Sequence, residues 1–132
     1  MDAQNNLGDI KARVLVVDDE AAICLLLVEW LNQAGFSCQS ASSTREALGI
    51  LEQQEFDAII SDLRMPGPSG LALLETVRAK YPKTAFLLAT GGGDVQAGIE
   101  AKKQGASDYL VKPFRLEAVL AALQQALEKK PE

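Results

Sequence analysis

The chain has 132 residues, enough for one globular domain and too few for two of ordinary size. With 48% hydrophobic and 23% charged residues and a net charge of −5, it has the apolar content of a packed core and no basic surface for nucleic acid. It contains no histidine, which excludes Ser-His-Asp and Cys-His catalysis, His-bearing zinc sites and a role as phosphohistidine carrier.

The two cysteines, Cys24 and Cys38, sit in apolar surroundings and read as small buried thiols rather than as a disulfide or metal site. The longest apolar run, Ala21 to Val28, is too short to span a bilayer. The opening MDAQNNLGDIKA lacks the basic start and apolar stretch of a signal peptide. The expectation is a cytoplasmic protein without a membrane partner or direct contact to nucleic acid.

Arg13 to Val17 (RVLVV) is a short β-branched run, hydrophobic enough to be buried on both faces of a sheet. A helical segment follows, with Ile23, Leu26, Leu27, Trp30, Leu31 and Ala34 on one broad stripe and Gly35 as its C-terminal cap. Phe36 to Ala41 is a more polar strand suited to a sheet edge. Ser43 to Glu46 is a Ser-x-x-Glu capping box that opens a helix with Ala47, Leu48 and Leu51 inward. Asp57 to Ser61 is a third strand, and the loop DLRMPGPSG leads to a helix carrying Leu71, Leu74 and Val77.

Thr84 to Ala89 is a fourth strand, broken by Gly91-Gly92-Gly93. The helix predicted from about Asp94 to Gln104 has Val95 and Ile99 as its main large apolar residues. Together with the glycines, this makes it a candidate mobile element. Ser107 to Val111 is the fifth strand, and Lys112-Pro113-Phe114 leads to an amphipathic helix with Leu116, Val119, Leu120, Leu123 and Leu127 on one face. Five βα units predict a parallel sheet covered by helices on both sides.

Ligand sites of such sheets lie beyond the carboxyl ends of the strands. There the sequence places Asp18, Asp19 and Glu20 after strand one, Asp62 after strand three, Thr90 after strand four and Lys112 after strand five. Each has a plain structural reading: Asp-Asp-Glu as a helix cap, Asp62 as a turn residue before Met65-Pro66-Gly67, Lys112 as a solvated loop lysine. Together they are more specific. Three converging carboxylates resist ionisation without a cation, and an all-oxygen set suits Mg²⁺. A lysine and a threonine hydroxyl opposite them match a phosphoryl group, which a carboxylate can itself accept.

The segments VLVVDDE (Val14 to Glu20), SDLRMPGPSG (Ser61 to Gly70), Ala89-Thr90 and GASDYLVKPF (Gly105 to Phe114) resemble, in this order and spacing, the receiver domains of two-component response regulators. The resemblance covers Arg13 to Leu127. It implies a flavodoxin-like, doubly wound α/β fold, a five-stranded parallel sheet of order 2-1-3-4-5 with five helices. The receiver domain would span 13–128, between flexible segments 1–12 and 129–132. It further implies that Asp62 is phosphorylated and that Asp19 binds Mg²⁺ directly, Asp18 through water, and Asp62 and the Arg64 backbone carbonyl complete the set. Lys112 and Thr90 would hold the phosphoryl oxygens, Tyr109 would turn inward with Thr90, and the Lys112-Pro113 bond would be cis.

The implied partners are a sensor histidine kinase or phosphotransfer protein and a downstream effector on the surface of helix four, strand five and helix five. The oligomeric state would be a monomer or a phosphorylation-dependent dimer. The role is that of a signalling phosphoacceptor, not an enzyme, although such a domain promotes its own phosphorylation and hydrolysis.

Two positions depart from the common pattern. Gly92, two beyond Thr90, lacks a side chain beside the phosphoryl group, and Arg64, two beyond Asp62, is long and basic. Both are expected to tune dephosphorylation, Gly92 by leaving water poorly oriented and Arg64 by shielding or contacting the phosphoryl oxygens. A haloacid-dehalogenase-type phosphatase would need Asp-x-Asp where Asp18-Asp19-Glu20 stands. A nucleotide or flavin binder would need a phosphate-cradling first loop, and this one is acidic. The remaining alternative is a receiver-like interaction module that works without phosphorylation.

Overall fold

The alternation of short strand-forming runs with amphipathic segments forms five βα units in a computed structural model, which describes residues 10–129. Strands β1 (Arg13–Val17), β2 (Ser37–Ala41), β3 (Ala58–Asp62), β4 (Ala85–Thr90) and β5 (Asp108–Val111) alternate with helices α1 (Ala21–Gln33), α2 (Thr44–Gln53), α3 (Gly70–Lys80), α4 (Val95–Lys103) and α5 (Leu116–Glu128). A 3₁₀ turn at Gly92–Asp94 precedes α4. The sheet is parallel throughout, in the order β2-β1-β3-β4-β5. The expected fold class is the observed one, with the more polar β2 at an edge.

Residues 1–9 and 130–132 of the expected flexible ends lie outside the described residues. Lys11 and Ala12 are tied to the sheet. The Lys11 N–H donates to Gly35 O at 3.0 Å, and the Ser37 N–H donates to Ala12 O at 2.9 Å.

Successive side chains of a strand point to opposite faces, and β1 divides its residues accordingly. Val14 and Val16 join Ile60, Leu87, Leu27, Leu31, Val119 and Leu123 beneath α1 and α5. Leu15 and Val17 join Ile59, Phe86, Leu88, Leu51, Leu73, Leu74 and Val77 beneath α2, α3 and α4. Each fully buried leucine or isoleucine contributes roughly 1.5–3 kcal/mol of transfer free energy, so both layers are needed to hold the sheet.

Several helices turn differently from their predicted stripes. In α1 the buried line is Cys24, Leu27 and Leu31, whereas Leu26 is 40% and Leu25 70% exposed. In α3 Leu73 is buried and Leu71 only half-buried. In α4 the two large apolar residues, Val95 and Ile99, are exposed, and the buried residues are Gly98 and Ala101. Small residues on the inner face let this helix lie close to β5, which displaces its large apolar side chains outward. At α2 the Ser43 Oγ accepts from the Glu46 N–H at 3.0 Å. The Glu46 carboxylate accepts from the N–H and Oγ of Ser42, at 2.7 and 2.8 Å, instead of closing back on Ser43.

Candidate functional site

Strand register decides what meets at the carboxyl edge. Val17 pairs with Ser61, Asp62 with Ala89 and Thr90 with Val111, so the last residues of β3 and β4 and those just beyond β1 and β5 emerge side by side. Asp18, Asp19 and Asp62 each present a carboxylate oxygen, all within 4.8 Å of one another. Asp18 is buried, and its Oδ1 accepts from the Glu20 N–H at 2.8 Å. Asp62 Oδ1 accepts from the Leu63 N–H at 3.0 Å.

Lys112 closes the site from β5. Its Nζ donates to Asp18 Oδ2 at 3.0 Å and lies 3.3 Å from Asp62 Oδ1 and 3.7 Å from Glu20 Oε1. The Lys112-Pro113 peptide bond is cis. Burial raises the Asp62 carboxyl above the usual carboxylate range and the Asp18 charge adds to this, while Lys112 and the Leu63 N–H oppose it. For Lys112, burial pulls the ammonium down, but its bonds and charge interactions with Asp18 and Asp62 outweigh this and the net direction is up. One cation thus serves two carboxylates, and the site carries excess negative charge.

The donor set fits a hard divalent cation, because it offers carboxylate oxygens and neither sulfur nor imidazole. Thr90 is fully buried, and its Oγ1 has no hydrogen-bond partner among the described residues. A buried hydroxyl without a protein partner costs free energy unless a water, an ion or a ligand group takes its bond. Tyr109 is half-buried, with its ring against α4 at Gly98.

Residues 14–124 match the family described as the response regulator receiver domain. The chain belongs to that family. It is 38% identical over 112 residues to the DNA-binding transcriptional regulator NtrC of Klebsiella pneumoniae, covering 85% of this chain and 24% of that protein. It is 41% identical over 109 residues to the response regulator protein FleR of Pseudomonas aeruginosa, covering 83% of this chain and 23% of that one. A crystal structure of a response regulator receiver domain protein from Clostridium thermocellum superposes with a TM-score of 0.85 at 33% identity, covering 89% of this chain and 95% of that one. The chain thus spans about a quarter of the length of the curated relatives it matches. No helix among the described residues is long and apolar enough to cross a membrane.

The two departures from the common receiver pattern have a structural setting that their sequence positions do not reveal. Arg64 does not lie over Asp62. Its Nε and Nη2 donate to Asp94 Oδ2 and Oδ1 at 2.9 and 2.6 Å, a two-pronged pair across thirty positions of sequence. Gly92 lies in the 3₁₀ turn with open space where a β-carbon would stand. The glycine loop is thus shaped, because the Asp94 N–H also donates to Gly91 O at 3.0 Å.

Sequence reasoning does not single out Asp94 and Gly98 as residues of this receiver's site. For Asp94 a signal exists, an acid at the start of a predicted helix, but its partner does not follow from it. For Gly98 the signal is a glycine inside a helix, where it costs about 1 kcal/mol relative to alanine and calls for a packing reason.

Proposed function

We propose that this receiver, spanning residues 13–128, is a cytoplasmic phosphoacceptor in a two-component phosphorelay, with Asp62 as the acceptor. The single observation that carries the reading is the Asp62 carboxylate held between the Lys112 ammonium at 3.3 Å and the carboxylates of Asp18 and Asp19. The chain has no histidine, so the donor phosphohistidine belongs to a partner, a sensor histidine kinase or phosphotransfer protein. An Asp62 oxygen attacks phosphorus, a P–O bond forms, and the P–N bond breaks with its electron pair leaving on the imidazole nitrogen.

Asp18, Asp19, Asp62 and the Arg64 backbone carbonyl are the groups that would hold Mg²⁺. When bound, Mg²⁺ supplies positive charge against the phosphoryl oxygens. Lys112, already between Asp18 and Asp62, moves its bond from carboxylate to phosphoryl oxygen. Thr90 has its hydroxyl free to donate to the new dianion, and Tyr109 follows it inward. Hydrolysis of the acyl phosphate releases inorganic phosphate and restores the carboxylate. Gly92 offers no side chain to orient the attacking water, which favours a long-lived phosphoryl group.

The output surface in this reading is α4-β5-α5, where Val95, Ile99 and Val111 are 39–40% exposed. An effector, or a second copy in a phosphorylation-dependent dimer, docks there. The NtrC relatives are DNA-binding transcriptional regulators, and in a protein of that plan DNA contact falls to segments other than this acidic chain.

The test is intact-mass analysis after incubation with a small-molecule phosphodonor, with and without Mg²⁺, on the wild type and Asp62→Asn. One added phosphoryl group that needs both Mg²⁺ and Asp62 is the expected result. If no adduct forms and beryllofluoride does not bind, the chain is a phosphorylation-independent interaction module.

A further inference from the structure

The Arg64–Asp94 pair joins the two loops that flank Asp62, and Asp94 stands where two demands on it compete. It is the residue immediately before α4, in N-cap position, yet its side chain makes no capping hydrogen bond. Its carboxylate is turned away, both oxygens taken by the Arg64 guanidinium. The first-turn amides of α4 therefore lack the side-chain acceptor that an aspartate at this position ordinarily supplies. The backbone of Asp94, at φ −115° and ψ 31°, is outside the extended conformation of a capping residue. Gly91, Gly92 and Gly93 immediately before it allow it to be reset.

Arg64 is likewise held from a second partner. It is two residues from Asp62, is 76% exposed, and has its planar fork spent on Asp94. In the resting site the Asp62 carboxylate has Lys112 and the Leu63 N–H as its partners, and Arg64 is not among them. A phosphoryl group changes that balance. It replaces one carboxylate charge with close to two on the phosphoryl group and adds three acceptor oxygens, where Lys112 is the one side-chain cation in contact with Asp62 among the described residues. A guanidinium fits such a group with two parallel N–H···O bonds.

We propose that Asp94 is a positioning residue with two alternative partners: it holds Arg64 off the Asp62 site at rest, and caps α4 once a phosphoryl group on Asp62 takes Arg64 away. This rests on the phosphoacceptor reading of Asp62 and extends it to the element that reports the phosphoryl group. The exchange couples the acceptor to α4 without passing through Thr90 and Tyr109. It leaves no charge stranded, since a carboxylate released at a helix N-terminus finds amide donors and the favourable end of the helix dipole. The Arg64–Asp94 pair lies at the surface, so it is weak enough to exchange, and salt screens it.

The experiment compares wild type, Arg64→Gln and Asp94→Ala in Mg²⁺, with beryllofluoride as the phosphoryl probe. It reads two quantities: beryllofluoride affinity, and hydrogen exchange of the Gln96 and Ala97 amides. In the wild type, beryllofluoride slows exchange at both amides. Arg64→Gln slows it already at rest, because Asp94 is freed to cap, and it weakens beryllofluoride binding.

Asp94→Ala leaves Arg64 unopposed and tightens beryllofluoride binding by roughly threefold, the scale of a surface ion pair. Its α4 amides exchange fast in both states. A pair that only braces the loop predicts that both variants speed exchange and shift affinity in the same direction, and that outcome overturns the proposal. If the wild type binds no beryllofluoride, the phosphoacceptor reading fails and this one with it. If the wild type binds but the variants do not diverge, only this one fails.

Discussion

The ring of Tyr109 rests on the bare backbone of α4 at Gly98: a β-carbon there would stand 2.5 Å from two ring atoms and 2.8 Å from a third. No flexible chain end is at fault in that contact, so any larger residue must move the ring or the helix. The seat of the tyrosine is thus built from the absence of a side chain in a neighbouring element. This ties Tyr109 on β5 to α4, the two elements whose exposed apolar residues form the proposed output surface.

Replacing Gly98 by alanine should therefore destabilise the protein, by about 1–3 kcal/mol for an overpacked core contact, despite alanine's better helix propensity. The matched control is Gly49 in α2, which is exposed and has nothing within 4 Å of the place a β-carbon would take. Gly49→Ala should stabilise by roughly 0.5–1 kcal/mol. Denaturant unfolding of the two variants gives opposite signs if the tyrosine seat is as close as described. Equal stabilisation by both would mean that the ring yields without cost, and the Tyr109 ring resonances in NMR would then be found shifted in Gly98→Ala.

Lys112 and a divalent cation compete for the same carboxylates. Removing the ammonium in Lys112→Met should tighten Mg²⁺ binding about tenfold, since a unit charge a few ångströms away is worth on the order of 1–4 kcal/mol between water and protein-surface dielectric. Without Mg²⁺ the same variant should be less stable than wild type, because Asp18 and Asp62 face each other with no cation between them. The added stabilisation by Mg²⁺ should exceed that of wild type by the difference in affinity. Calorimetric titration checks the first statement, and melting in chelator against saturating Mg²⁺ checks the second. Weaker Mg²⁺ binding in the variant would show that Lys112 organises the carboxylates more than it repels the ion.

The cap of α2 separates a neutral contribution from a titrating one. Ser43→Ala should cost about 1 kcal/mol at any pH, the ordinary worth of an N-cap side chain. Glu46 differs: the Ser42 N–H, and then its hydroxyl, hold this carboxyl below the usual range. A depressed carboxyl adds stability above its unfolded pKa and loses it as pH falls through the folded one. Glu46→Gln should hence be less stable than wild type at pH 7, and the gap should close as the pH drops below the normal glutamate value of 4.5. A gap that persists unchanged into acid would mean that glutamine's amide geometry, not lost charge, is responsible.

The parts of this fold legible in sequence are those carried by local period. Short apolar runs mark four of the five strands, with β2 the polar exception, and residues at the end of a strand or just beyond it sit at the carboxyl edge by construction, which is why Asp18, Asp62, Thr90 and Lys112 come together. Strand order is not local and came through the family resemblance. What the sequence hides is the set of relations between elements distant along the chain. Val95 and Ile99 are the large apolar residues that the sequence offers on α4, but the side facing the sheet is lined by Gly98 and Ala101, with Tyr109 seated against Gly98. Arg64 reads as a long basic side chain beside the acceptor and Asp94 as the start of a helix, and nothing in composition or spacing pairs an arginine with an acid thirty positions away.

The unpaired hydroxyl of Thr90 yields a prediction in which stability and function move apart. Its Oγ1 is buried with no partner among the described residues, and an unsatisfied group of this kind costs about 1–3 kcal/mol of desolvation. Valine has nearly the same shape and no hydroxyl, so Thr90→Val should raise resting stability by roughly 1 kcal/mol. The same change removes the donor that a phosphoryl group on Asp62 would recruit, so the variant should take up the phosphoryl group yet leave Tyr109 where it is. Chemical unfolding tests the first half, and the Tyr109 ring signal with and without beryllofluoride tests the second. A destabilised Thr90→Val would mean that the hydroxyl is already satisfied in the resting protein. Its part in the switch would then be an exchange of bonds, with no free donor waiting for the phosphoryl group.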